Sequence, residues 1–283
     1  MSSHTDTMSM RDALFEAPGP RMRRNIRVGI AISLVLVAVA LGLVVQRFYL
    51  TGQLAAKYWT FFGQASTWAF LGRGFLGTIQ VALVAGVIAL VLGLVLMLGR
   101  TSALRPVALV SRVVIDFFRG VPSLLLIYFF FLVVPQYGIK LSSFWMITLP
   151  VGLAASGVLA EVFRAGVNAV PRGQVEAAMS LGMSKHKITF KIVLPQAIRF
   201  VIPTLISQLV VVVKDTTVAY VVSYPDMLQN ARVLITNYDA LVSTYFVIAI
   251  IYILLNYLIN KASVAVARKT GTKIISRTST AAV

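Results

Sequence analysis

The 283-residue chain contains no cysteine, which excludes disulfides, thiolate nucleophiles and cysteine metal sites. It has two histidines, His4 and His186, far apart in sequence and outside any H-E-x-x-H or similar ligand cluster. Histidines at those two positions give no support to a Ser–His–Asp set. No G-x-x-x-x-G-K-[ST] segment occurs, so the chain has no phosphate-cradling loop of its own. Charge is scarce at 12% of residues, and only 9 are acidic against 26 Lys and Arg. No catalytic cluster of the kind a lipid-modifying membrane enzyme needs is visible beyond isolated acids.

What is abundant is apolar sequence, 58% of residues. It falls in long runs such as Ile30 to Val45, Ile79 to Leu98 and Ile248 to Ile259. About 20 helical residues cross a bilayer core, so runs of this length suggest membrane spans. Six spans are expected, at Val28–Val45, Gly74–Leu98, Phe117–Val134, Phe144–Phe163, Val193–Val213 and Leu241–Ile259. The first follows Arg21, Arg23, Arg24 and Arg27 and contains Ala38-Val39-Ala40, features also found in a signal peptide. It runs past that small-residue site and is longer than a signal core, which favours a retained anchor. The net charge of +17 sits at the ends of apolar runs, which points to topology and anionic lipid rather than nucleic acid. With the amino terminus inside, inner segments carry nineteen Lys and Arg and outer segments six, with Arg199 near an inner helix end. Both termini are therefore expected in the cytoplasm. The outer stretch from Arg47 to Arg73 holds Tyr58, Trp59, Phe61, Phe62, Trp68 and Phe70, and is expected to lie on the outer surface, because aromatic rings favour the membrane boundary.

The most informative segment is the basic inner loop from Arg164 to Lys191. Residues Gln174 to Leu181 are mostly good helix formers, and Gly182 follows where a left-handed helix end is easiest. Val175, Ala178 and Met179 share a face at i, i+3, i+4 spacing. A short amphipathic helix is expected there, with a second helix starting at Pro195. Such a helix suits docking into a groove of another protein. An interfacial helix lying on lipid fits the same residues.

The spacing Glu176-Ala177-Ala178, then Gly182, then Ile192, Leu194 and Pro195 resembles the EAA loop of permease subunits of ATP-binding-cassette importers. Further stretches resemble the polar amino-acid branch of that family: Ala160-Glu161-Val162-Phe163-Arg164-Ala165-Gly166, Pro171-Arg172-Gly173-Gln174, Phe118-Arg119-Gly120-Val121-Pro122 and Lys214-Asp215-Thr216-Thr217. The resemblance runs from about Gly74 to Lys261. It implies that the loop is a coupling helix seated in an ATPase cleft, through Gln174, Val175, Glu176, Ala177, Ala178, Met179, Gly182 and His186. Leu126 departs from the pattern, because many members have Gln there.

Ionisable residues within spans are costly and informative. Thr204, Gln208 and Asp215 share a helix face, with Ser207 and Lys214 beside them. Lys214 is a candidate partner for a substrate carboxylate and Asp215 for an ammonium, and both are expected near the outer surface; a snorkelling Lys and a structural Asp are the alternative. Asp116 with Arg119, and Glu161 with Arg164, are expected as structural or gate pairs at i, i+3 spacing. Pro203 is expected to kink the fifth span.

The expected fold is an all-α integral membrane protein, a five-helix importer permease core plus one N-terminal helix. Expected segments are a cytoplasmic tail (1–27), an extra transmembrane helix (28–46), an outer aromatic loop (47–73), the importer transmembrane domain (74–261) with its coupling loop (164–191), and a loose cytoplasmic tail (262–283). The resemblance implies two ATP-binding cassette subunits carrying ATP and Mg, a second homologous permease subunit and an extracytoplasmic amino-acid-binding protein, in a bacterial plasma membrane. No cofactor or metal is expected on this chain. The substrate is expected to be a polar amino acid, with glutamate favoured. Alternatives are another small polar solute, or a membrane channel or scaffold.

Overall fold

The structure is a computed structural model that describes residues 19–269; of the tails expected at 1–27 and 262–283, residues 1–18 and 270–283 lie outside the described residues, whereas 20–27 and 262–269 are helical and continue the neighbouring spans. The chain forms two compact units, one ending at Ala56 and one starting at Lys57. The first contains α1 (Pro20–Leu50). Pro20 occupies the first helical turn, where its missing N–H costs nothing. At 31 residues α1 is long and apolar enough to cross a membrane.

The second unit contains α2 (Ala65–Arg100), α3 (Arg105–Gly120), α4 (Ser123–Tyr137), α5 (Ser143–Ala169), α6 (Arg172–Ser180), α7 (Lys185–Val222), α8 (Met227–Tyr238) and α9 (Leu241–Lys269). No strand occurs among the described residues. Of these helices α2, α5, α7 and α9 can each cross a membrane. The centre is α5, which packs against α2, α7, α3 and α4. Its Gly166 lies against α7: a Cβ there would stand 2.8 Å from the Ala197 carbonyl oxygen. Small residues let helix backbones approach closely where lipid supplies no hydrophobic drive between helices.

Three sequence expectations change. First, the span expected at Phe117–Val134 is broken: α3 and α4 meet at 99°. Val121 is extended (φ −86°, ψ 125°) because the residue before a proline is pushed out of the helical region, and Pro122 then opens α4. The apolar run continues across this corner, which hides it from a hydropathy reading. Second, the helix expected to start at Pro195 starts ten positions earlier. Ser184 is extended before Lys185, and a widened turn at Thr189–Val193 carries the helix past Pro195, with the Leu194 N–H donating to the Thr189 carbonyl. Such π turns absorb a residue without ending the helix. Third, the aromatic stretch joins the core. Phe61 is buried with Leu71, Met227, Leu234 and Ala240, and stacks on Tyr238 at a 4.4 Å ring separation. Ser243 Oγ donates to the Tyr58 carbonyl, tying the stretch to α9. Helix α2 accordingly begins at Ala65 rather than Gly74.

The segment between α7 and α8 folds back onto α2. Met227 N–H donates to Thr78 Oγ1 at 3.1 Å and Asn230 Nδ2 donates to the Phe70 carbonyl at 2.8 Å. Gly77 makes room for this segment: a Cβ would lie 2.6 Å from the Pro225 oxygen. Asp226 caps α8 by accepting the Gln229 N–H at 2.8 Å. It is fully buried, and burial pushes its carboxyl up to about 6.

Candidate functional site

The helix expected between Gln174 and Leu181 is α6, and its end is built as anticipated. Gly182 adopts φ +70°, its N–H donates to the Met179 carbonyl, and Met183 N–H donates to the Ala178 carbonyl. This paired closure needs a left-handed residue, which glycine takes without strain. Ala178 is buried against Val170, Ile188, Val193 and Ala197, so α6 is pinned to the bundle by one small side chain. Val175 is half-buried, whereas Gln174, Glu176, Ala177 and Met179 are exposed. By helical spacing Gly173, Ala177 and Ser180 form the face opposite the anchored one. Small side chains there leave the α6 backbone open to close approach. His186 is exposed on the next helix and stacks parallel on Phe190, with ring centroids 6.3 Å apart.

Beside α6, at the same end of the bundle, one carboxylate gathers three guanidinium groups. Glu161 on α5 meets Arg100 at the end of α2, Arg164 Nη2 at 2.7 Å, and Arg119 at the end of α3 at 3.8 Å. Arg164 Nε adds a bond to the same Oε2 at 2.8 Å. The expected Glu161–Arg164 pair is therefore present inside a larger set. The expected Asp116–Arg119 pair is not: Asp116 is exposed and forms no ion pair among the described residues, while Arg119 turns to Glu161. The reason is the corner at Val121, which aims the last turn of α3 at α5. Arg100 was missed from sequence because it lies 61 residues from Glu161.

A cavity of about 150 Å³ lies where α3, α4, α5 and α7 meet. Its lining includes Arg119, Ser123, Gln208 and Asp215, with Ala154, Ala155 and Val158 of α5. Ser123, in the first turn of α4, lines the cavity beside Asp215. Of the expected polar stripe, Gln208 and Asp215 thus reach one cavity. Lys214 is exposed and outside the lining, Thr204 is exposed, and Ser207 turns to α9, where its hydroxyl lies 3.3 Å from that of Ser263. Both of those serine hydroxyls donate to the Pro203 carbonyl. The cation that lines this space with Asp215 is Arg119, not Lys214. Asp215 shares this lining with Ala154 and Ala155, in the middle of α5.

Several apolar helices of spanning length, a cavity lined by one cation and one anion, and a short helix pinned at one end of the bundle are the arrangement of a membrane permease subunit. Residues 96–271 match the model of the family described as binding-protein-dependent transport system inner membrane component, and the chain belongs to that family. The chain is 36% identical over 210 residues to the glutamate transport system permease protein GluD of Corynebacterium glutamicum, covering 73% of this chain and 77% of that one. It is 32% identical to a probable glutamine ABC transporter permease protein, GlnP, of Bacillus subtilis, covering 69% of this chain and 91% of that one. A crystal structure of an amino acid ABC transporter with histidines superimposes with a TM-score of 0.70 at 26% identity, covering 74% of this chain and 98% of that one. An inward-facing MetNI methionine ABC transporter shares the fold, with a TM-score of 0.61 at 18% identity.

Proposed function

We propose that this chain forms the translocation pathway of an ATP-driven importer for a polar amino acid. Helix α6 faces the cytoplasm and passes movement from two ATP-binding cassette subunits, which bind ATP and Mg and hydrolyse it. The basic inner segments, the exposed small face of α6 and the Glu176-Ala177-Ala178 spacing support that orientation. A second, homologous permease subunit completes the pathway, and a binding protein delivers substrate outside a bacterial plasma membrane.

The observation that carries the substrate class is that Arg119 and Asp215, one cation and one anion, line the same cavity. A free amino acid carries a carboxylate and an ammonium at neutral pH. Arg119 offers a planar, always charged fork to the carboxylate. Asp215, beside Ser123 in the lining, offers an acceptor to the ammonium. Gln208 can donate to or accept from a polar side chain such as that of glutamate or glutamine. The preference for glutamate rests on the relatives, because Lys214 lies off the cavity.

Transport requires two states that differ in contact energy. In the closed state Glu161 holds the ends of α2, α3 and α5 together through its three arginines. Arg119 belongs to both that cluster and the cavity, so a substrate carboxylate competes with Glu161 for it. Cassette closure, felt through α6, moves the Lys185 end of α7 against α5. The test is uptake of radiolabelled glutamate, glutamine and arginine by the reconstituted complex. Uptake lost in Arg119→Gln and Asp215→Asn but kept in Lys214→Gln supports the assignment; equal loss in Lys214→Gln alone refutes it.

A further inference from the structure

A second, roomier cavity lies elsewhere. It measures about 480 Å³ and sits between α6 and the ends of α2, α5 and the start of α7. Its polar lining is Thr101, Asn168, Arg172, Lys185 and Thr189, and the remainder is apolar, including Met97 and Leu194. Among the described residues that line it there is no Asp or Glu. Neither Arg172 nor Lys185 forms an ion pair among the described residues. The Glu161 cluster and the Arg119–Asp215 cavity share none of these residues.

The geometry points to this cavity as a binding site for the phosphate headgroup of an anionic phospholipid of the inner leaflet. Three features meet there. Thr101 closes α2 and Val170 closes α5, so the cavity lies at the depth where two spans end, which is headgroup depth in a bilayer. Two cations without an acid select an anion, and Asn168 adds an amide donor, whereas the Thr101 and Thr189 hydroxyls donate to the Met97 and Lys185 carbonyls. The apolar part continues the surface of the span ends, where acyl chains run. Basic pockets between helices on the cytoplasmic side hold acidic headgroups for these reasons. The site uses the α6 face of Arg172, Val175 and Met179, leaving the Gly173, Ala177 and Ser180 face free for a cassette. A lipid seated there wedges between the coupling helix and the spans, so the headgroup sets how firmly α6 follows the bundle. This rests on the cytoplasmic placement of α6 proposed above.

The test measures phosphatidylglycerol retained by the purified full-length chain, by native mass spectrometry, with phosphatidylcholine as the neutral probe. Phosphatidylglycerol is expected in preference to phosphatidylcholine. Arg172→Gln or Lys185→Gln should weaken retention about fivefold each and the pair roughly 25-fold, the size of one surface cation per step. Val175→Trp, which fills the cavity and keeps both charges, should also release it, whereas Lys191→Gln should not. Unchanged retention in all cavity variants overturns the proposal. Inorganic phosphate displacing the lipid at equal concentration would make this a free-phosphate site instead. Loss of cassette capture with retention intact would make the cavity part of the cassette seat, and again overturn it. The assay in detergent does not depend on sidedness. Labelling of Ser184→Cys by an impermeant maleimide from outside cells would sink the orientation alone, so the two failures are distinguishable.

Discussion

A single carboxylate gathers three guanidiniums where α2, α3 and α5 converge, and Glu161 is the residue whose loss leaves most charge unpaired. Its side chain is only 17% exposed, so water screens the cluster weakly. Exposed ion pairs contribute about 0–1 kcal/mol and breaking a buried one costs about 3–5 kcal/mol. Glu161→Gln should therefore destabilise the detergent-solubilised chain by about 1–3 kcal/mol, visible as a lower Tm, whereas Asp116→Asn should leave Tm unchanged. At the cavity, Arg119→Gln should lower glutamate uptake at limiting concentration at least tenfold, as expected for removing a charge-assisted hydrogen bond of about 1.5–3 kcal/mol. The i, i+3 spacing made Glu161–Arg164 legible from sequence, because helix geometry alone brings those side chains together. Arg100 meets Glu161, and Arg119 shares a cavity with Asp215, only through the tertiary fold, and no local pattern in the chain connects them.

At the scale of elements, the fold depends on corners that hydropathy does not register. The α3–α4 corner needs Pro122 to keep Val121 extended. Pro122→Ala should let α3 continue and carry Arg119 away from Glu161; the chain should still insert, but transport should fall. Gly77→Ala should lower Tm, because its Cβ meets the rigid Pro225 carbonyl rather than a movable side chain. The Asp226 cap gives a pH signature. Its folded pKa of about 6 lies above the ordinary carboxyl value of 3.8, so the folded state binds the proton more tightly. Stability from this group is full below the ordinary value and lost as pH rises toward 6. The Tm of the wild type minus that of Asp226→Asn should therefore fall between about pH 4 and pH 6; a flat difference would remove that assignment. Helix α6 and its Gly182 closure were legible because a short run of local spacing specifies them. The start of α7 at Lys185 was not, since Pro195 reads as a helix start unless the widened turn before it is known.

For the whole molecule, charge and apolar length were enough to give an all-helical membrane protein, and the one spacing motif was enough to suggest its coupling role. The pathway needed the third dimension, because the broken span and α7 supply its two charges from residues 96 positions apart. The central claim is that α6 stands in the cytoplasm and touches an ATPase that drives import. The chain has no cysteine, so one introduced thiol reports without background. The direct measurement is thiol crosslinking from Ala177→Cys, on the free face of α6, in the complex in native membranes. The account predicts an adduct with the ATPase subunit whose yield changes with ATP, and no labelling by an impermeant maleimide from outside the cell. Labelling from outside, with no ATPase adduct under any nucleotide condition, would contradict it.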